Sequence, residues 1–276
     1  MNTIVNYFST VPDSHRIYLL TSTLFLFGNI ETFFLFKKTE SKLKHILTNA
    51  LFMLPAAPVQ IALGFFLLAD LKFTSLHHFG ILNTLPFRVN NFWILLLGFI
   101  LLDLGEYIYH ITMHKVKRLW MCHLVHHSDR DLTVSTTLRE HPLETGIRLM
   151  FLIVWVFLTG IPFWALLFRL FFQIASNVFV HANFRINENV DKIVSWVFVT
   201  PNMHQVHHHF QQPYTDKNYG DVLSIWDRIF GTFTTATANE LIFGVDTYFD
   251  KKENSNFIQL LKVPFGKYRQ SSIIKK

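Results

Sequence analysis

The chain is poor in charge, nearly devoid of cysteine and without a nucleotide-binding signature. Asp, Glu, Lys and Arg make up 16% of its 276 residues, against about a quarter in an ordinary soluble domain. Half of the residues are hydrophobic and 30 are Phe. The apolar residues come in blocks, which excludes a conventional soluble domain and indicates an integral membrane protein folded as one unit. Cys122 is the single cysteine, so no internal disulfide can form and a thiolate-only metal site is excluded. It neighbours His123, yet it is expected to be an inert thiol among apolar side chains. There is no GxGxxG and no P-loop, hence no recognisable flavin, nicotinamide or nucleotide site. Neither an internal repeat nor a low-complexity linker occurs. The net charge is +6, but the Lys and Arg residues flank the apolar blocks. That pattern orients membrane helices and argues against a nucleic-acid partner.

What the chain has instead is histidine at helical spacing. His110 and His114 stand i, i+4; His123, His126 and His127 stand i, i+3, i+4; His204, His207 and His208 repeat that pattern about ninety residues on. Residues three and four apart on a helix share a face, with Cβ atoms about 5–6 Å apart, which suits imidazoles closing on one metal ion. A lone HxxxH carries little weight, but three such groups in one chain point to metal. Eight imidazoles exceed what one ion needs, so two ions with about four imidazoles each is the economical expectation. Imidazole suits Zn, Cu, Fe and Ni, so ligand type does not name the metal. His181 is a further candidate ligand, and His209 cannot share the inward face fully with His207 and His208. Asp103, Glu106 and Tyr107 lie one or two turns before His110, where a carboxylate or phenol can hold the far nitrogen of a ligating ring. His141, in REHPLE, and Asp227 are candidates for the same supporting role, and Glu144 is placed to reach Arg148 at i+4.

The apolar blocks give the scaffold. Residues 17–36 are long enough to span a bilayer, which needs about 20 apolar residues; Glu31 within them is expected to make a helix-end or interhelical contact. Residues 47–69 form a second span in which Pro55 and Pro58 predict a kink, followed by a loop over 71–91. A third begins at Phe92 and continues into His110. Residues 147–180 are broken at TGIP, residues 159–162, and read as a hairpin of two half-length helices, either re-entrant or crossing twice. The expected fold class is all-α: a multi-pass transmembrane helical bundle with a cytoplasmic helical cap carrying the His-rich dimetal site. Residues 1–91 would be N-terminal transmembrane helices, 92–240 the catalytic region and 241–276 a basic cytoplasmic tail. The basic stretches 37–45 and 115–118 and the tail should all face the cytoplasm, which puts both histidine clusters on one side. No signal-peptide pattern is seen in residues 1–16.

Taken together the motifs resemble the fatty acid hydroxylase/sterol desaturase superfamily. The matching stretches are DxxxYxxHxxxH at 103–114, LWMCHLVHHS at 119–128, REHPLE at 139–144, VHANF at 180–184, TPNMHQVHHH at 200–209 and KNYGDVLSIWDRIFGTF at 217–233. The resemblance covers about half of the chain. It implies a membrane-bound non-haem di-iron oxygenase that uses O2 and external electrons to hydroxylate or desaturate a C–H bond of a lipid, sterol, fatty acyl or related. By motif position it implies two iron ions held by His110, His114, His123, His126, His127, His204, His207 and His208, with His181 as a ninth ligand. The partners would be a lipid drawn from the bilayer and a separate electron donor, cytochrome b5-, ferredoxin- or reductase-like, docking near Lys115, Lys117 and Arg118. The membrane would be the inner membrane in a bacterium or the endoplasmic reticulum in a eukaryote. Two other readings of the same residues are a dizinc hydrolase of a lipid ester and a metal transporter. The first would be expected to use bridging carboxylates, and the second to place its ligands near the bilayer midplane.

Overall fold

The apolar blocks become long helices, and the polar stretches between them fold into short ones. A computed structural model of the chain describes residues 1–10, 13–33, 42–85, 90–248 and 250–270. Along it run α1 (Asn2–Thr10), α2 (Asp13–Phe33), α3 (Lys42–Ala50), α4 (Met53–Leu76), α5 (Asn91–Lys115), α6 (Lys117–His127), α7 (Pro142–Thr159) and α8 (Phe163–His181). Then come α9 (Glu188–Val194), α10 (Pro201–His207), α11 (Ile225–Ile229), α12 (Lys251–Asn254) and α13 (Phe257–Lys262). Among the described residues there is no strand, only isolated bridges between Phe198 and Leu223 and between His209 and Phe243.

Four of the described helical stretches are long and apolar enough to cross a membrane: the one containing α4, then α5, α7 and α8. This is a multi-pass membrane protein. Phe65, Phe66 and Leu68 on α4 and Met150 and Val154 on α7 are more than half exposed, which suits lipid rather than water as their surroundings. On the inner side Leu71, Leu102, Val156, Ile161, Ala165 and Leu166 form one core joining α4, α5, α7 and α8. Gly105 lets α5 approach α7: a Cβ there would stand 2.7 Å from the Trp155 ring. Trp155 uses that closeness to donate from Nε1 to the Leu101 carbonyl at 2.6 Å.

Several boundaries differ from expectation. The break in the second block falls at Leu51–Phe52, before the prolines. Pro55 sits in the first turn of α4, where a missing N–H costs nothing, and Pro58 lies inside the helix. The helix also runs on to Leu76, so the loop opens six residues later than expected. The hairpin does break at Gly160–Pro162, but its arms are not half-length. They recruit flanking polar residues and reach 18 and 19 residues. Gly160, at φ 66, caps α7 in the left-handed conformation, and Asn83 Nδ2 donates to its carbonyl at 3.2 Å. The hairpin tip therefore lies at the same end of the bundle as the α4–α5 connection. α2 lies along α8, with Leu24 and Phe27 against Val178 and Ala182, and is not among the four spanning candidates. Glu31 accepts hydrogen bonds from the Val134 and Asn183 amides at 2.9 and 3.1 Å, the contact between segments that was expected. Of the first apolar block, residues 34–36 lie outside the described residues, as do Lys37 and Lys38 of the basic loop and Lys275 and Lys276 of the tail.

The cap is built on the other end of the bundle. Met121, Leu124 and Val125 of α6 pack with Phe52, Val245, Tyr248, Leu260 and Val263, so much of the C-terminal stretch is core.

Candidate metal centre

Four helices deliver imidazoles to one place at the capped end. α5 contributes His110 and His114 near its C-terminus, and α6 contributes His123, His126 and His127. His181 is the last residue of α8. α10, with Thr200 accepting from the Met203 amide and Pro201 in its first turn, carries His204 and His207, and His208 caps it. The rings sort into two groups whose ligand atoms lie within 4.8 Å of one another: His110, His114, His123, His127 and His207, and His126, His181, His204 and His208. All nine positions expected from the sequence converge, and His181 completes the second group. His209 turns away; its Nε2 lies 3.0 Å from the Glu240 carbonyl.

The hydrogen bonds decide which ring nitrogens face inward. Nδ1 of His110 lies 2.9 Å from the Tyr219 carbonyl, that of His126 3.3 Å from the Arg139 carbonyl, that of His181 2.7 Å from the Asn177 carbonyl and that of His207 2.7 Å from the Lys217 carbonyl. Nδ1 of His123 lies 2.5 Å from Glu144 Oε1. A carbonyl or carboxylate oxygen only accepts, so each of these Nδ1 atoms carries the proton and each Nε2 presents a lone pair. Yet Nε2 of His110 stands 3.1 Å from Nε2 of His123, and Nε2 of His126 stands 3.0 Å from Nε2 of His181. Two lone pairs at that separation repel unless a cation lies between them. Two nitrogens each about 2.1 Å from one ion and at right angles would stand about 3.0 Å apart.

Unsatisfied atoms say the same. Nε2 of His207 and both ring nitrogens of His127 are buried with no hydrogen-bond partner, as are those of His114, whose Nδ1 lies 3.5 Å from Asp216, and one nitrogen of each of these rings is left for an ion. Each such group would cost about 1–3 kcal/mol if nothing bound it. Burial pushes the His123 ring down to about 3. Burial first, and then the neighbouring imidazoles, push His126, His127, His204, His207 and His208 well below the ordinary value. Neutral rings in a buried cage are what metal ligation requires. The residues present fit a pair of metal ions.

The supporting residues differ from those expected. Asp103 accepts from the Val222 and Leu223 amides at 3.2 and 3.1 Å, from Trp226 Nε1 at 2.9 Å and from Arg169. Asp227 accepts from the Tyr219 and Gly220 amides at 2.7 and 2.9 Å and from Thr232 Oγ1, and Tyr107 donates to Thr232. These three hold the 219–223 loop, whose Tyr219 carbonyl orients His110, instead of touching a ligating ring. Glu106 pairs with Arg148 at 3.4 Å. His141 caps α7, its Nδ1 accepting from the Leu143 amide while Nε2 donates to the Leu261 carbonyl. A carboxylate that does hold one of these rings is Glu144, read from the sequence only as a partner for Arg148, from which it stands 3.7 Å away. Arg139 is the other surprise. Wholly buried, it donates to the Val125 carbonyl, Asn49, Ser128 and the Asn254 carbonyl, fixing the end of α6 that carries His126 and His127. Cys122 is buried with Tyr109 and Met113, as an inert thiol should be.

The fold and site together define a multi-pass membrane protein with two polyimidazole groups of metal-ligand geometry. The fatty acid hydroxylase family profile matches residues 95–232, and the chain belongs to that family. It is similar to the alkylglycerol monooxygenases of Xenopus tropicalis, 33% identical over 142 residues, and Homo sapiens, 31% over 157 residues. It is also similar to the ornithine lipid hydroxylase OlsE of Rhizobium tropici, 27% identical over 180 residues. These matches take in 51%, 55% and 65% of this chain. The chain spans about a third of the two monooxygenases, 30% and 33%, and 53% of the ornithine lipid hydroxylase. No solved structure matches it.

Proposed function

We propose that the chain is a lipid hydroxylase whose two imidazole groups each hold an iron ion. The observation that carries this reading is the facing of Nε2 lone pairs at 3.0–3.1 Å across both groups, in a family whose named relatives are lipid hydroxylases and monooxygenases. Iron bound there would supply the electron transfer that cleaves O2, so that one oxygen atom enters a C–H bond and the other leaves as water, with two electrons and two protons taken up.

The chain's own residues do the rest. The Tyr219, Lys217, Arg139 and Asn177 carbonyls and the Glu144 carboxylate hold five Nδ1 protons, so that five Nε2 lone pairs point inward. The lipid-facing surfaces of α4 and α7 let the substrate's tail stay in hydrocarbon while its reacting carbon meets the imidazole end. Lys115 at the end of α5 and Lys117 and Arg118 at the start of α6 are exposed and form the docking face for a separate, acidic electron donor. With Lys42, Lys44, Lys262, Lys267 and Arg269 at the same end, the imidazole end faces the cytoplasm. The relatives' names mention alkylglycerol and ornithine lipid, and a polar lipid of that kind is the proposed substrate class, with hydroxylation rather than desaturation as the outcome.

The test is isotopic. Purified protein in lipid nanodiscs, supplied with a reductant and 18O2, should place one 18O atom in a membrane lipid, and the product should vanish in His126→Ala. Oxygen taken from H2 18O instead of 18O2, with zinc as the bound metal, would make the protein a hydrolase and overturn the reading.

A further inference from the structure

One side of the cap wears its apolar side chains on the outside. In α9 and the turn after it, Val190, Ile193, Val194 and Val197 stand i, i+3, i+4, i+7, the stripe that a surface helix normally turns to its core. Here all four are exposed, Ile193 by 75%. Asp191 points the other way and accepts from Thr200 Oγ1 at 2.5 Å. α11 repeats the inversion: Ile225 and Ile229 are exposed, while Trp226 and Asp227 between them are buried. The two pieces are tied together. The Ser224 amide donates to the Val197 carbonyl and the Val199 amide to the Val222 carbonyl, both at 2.9 Å, and the Ser224 hydroxyl donates to the Ser195 carbonyl at 2.6 Å. Trp196 and Phe198, also exposed, complete one apolar face.

Its height along the bundle says what covers that face. Trp226 packs against Ile100 and Leu104 of α5, and Phe230 stacks on Tyr107 with ring centroids 5.3 Å apart. At about 1.5 Å per residue these positions lie roughly 5–15 Å from His110 toward the far end of α5. The run from Asn91 to His110 is about 28 Å, one hydrocarbon core, so α11 stands at the depth of acyl chains. Irregular backbone at that depth has to be satisfied from within the protein. It is: Asp103 accepts from the Val222 and Leu223 amides, and Asp227 from those of Tyr219 and Gly220. Polar groups inward and hydrocarbon outward is the arrangement of a lipid-facing surface. The Arg228 guanidinium lies 4.7 Å from the centre of the Trp196 ring, a pairing suited to the boundary between acyl chains and head groups. We infer that residues 188–198 and 225–230 are a monotopic insertion, entering the leaflet on the imidazole side without crossing it and covered by the acyl chains of that leaflet. The inference goes beyond the hydroxylase reading and does not depend on it. It seats the 219–223 loop, whose Tyr219 carbonyl faces His110, between α5 and the leaflet. The apolar run 190–198 is far short of the about 20 residues of a span, so hydropathy passes over it.

Spin-label accessibility tests it. The full chain carrying Ile193→Cys or Ile229→Cys is labelled with a nitroxide and placed in phosphatidylcholine nanodiscs. Cys122 is buried, and the unaltered chain supplies the blank. Phe66→Cys on α4 is the lipid-facing reference, and Lys252→Cys on α12 the water-facing one. Both labels should be relaxed by O2 and lose relaxation by a water-soluble nickel chelate, as at Phe66→Cys. Relaxation by the chelate equal to that at Lys252→Cys overturns the inference. Shielding from both reagents, with dipolar broadening between labels on different chains, would assign the face to a second copy and overturn it too. Should Ile229→Cys fail to fold, Ile193→Cys alone decides.

Discussion

Nε2 of His181, at the last turn of α8, faces Nε2 of His126 on α6 at 3.0 Å, while each ring's Nδ1 is committed to a backbone carbonyl. The pair lies in the four-imidazole group with His204 and His208. His181→Ala should therefore cost one metal equivalent per chain and leave the five-imidazole group loaded. His209→Ala should change metal content by less than a tenth, because that ring bonds the Glu240 carbonyl outside the cage. Elemental analysis of the two purified variants checks both; equal loss in the two would remove His181 from the ligand set.

Glu144 holds His123 Nδ1 at 2.5 Å and receives the Tyr109 hydroxyl at 3.2 Å. Carboxylates that orient a ligating imidazole are worth about 10–100-fold in metal affinity. Glu144→Ala should weaken the five-imidazole group by that factor in a chelator competition, and Glu144→Gln, which keeps an acceptor for the ring proton, by less. An affinity unchanged in Glu144→Ala would show that the contact does not orient His123.

Much of this site was legible in the histidine spacing, because i, i+3 and i+4 ligands on a helix leave a signature in residue type. Glu144 was visible only as an i+4 partner for Arg148, a helix-surface reading that ignored what stands across from it. The Tyr219, Lys217, Arg139 and Asn177 carbonyls were illegible for a plainer reason: a backbone oxygen is the same in every residue. Asp103 and Tyr107 were read as supports for a ligating ring, and helical phase alone cannot say that the 219–223 loop, more than a hundred residues away, comes to occupy the place beside them. The hairpin break at Gly160 and Pro162 was plain from residue type, whereas its arm lengths depended on polar residues such as Glu144, Thr145 and His181 that hydropathy discounts.

Asp103 and Arg169 are both buried, and Asp103 also accepts two loop amides and the Trp226 indole. Removing one member of such a pair costs about 3–5 kcal/mol. Asp103→Ala should lower the melting temperature in detergent sharply and loosen His110 through the 219–223 loop. A variant as stable as the parent would mean that Asp221 alone suffices for Arg169.

Acid should unfold the metal-free protein early. Burial lowers the His123 ring from 6.5 to about 3 in the folded chain, so between those values the unfolded chain binds more protons, and stability falls as pH falls. The buried rings of His127 and His208 shift the same way. Chelator-stripped protein should lose melting temperature progressively below about pH 6.5, and metal-loaded protein should resist until the ligands release their ions. A flat profile from pH 7 to 5 for the stripped protein would contradict the burial of neutral rings.

The central claim is that nine converging imidazoles hold two metal ions, and counting those ions tests it most directly. Iron-loaded protein, purified in lipid nanodiscs and measured by elemental analysis with X-ray absorption at the iron edge, should contain two irons per chain with imidazole nitrogens at about 2.1 Å. One iron per chain, none, or a shell dominated by oxygen would contradict it.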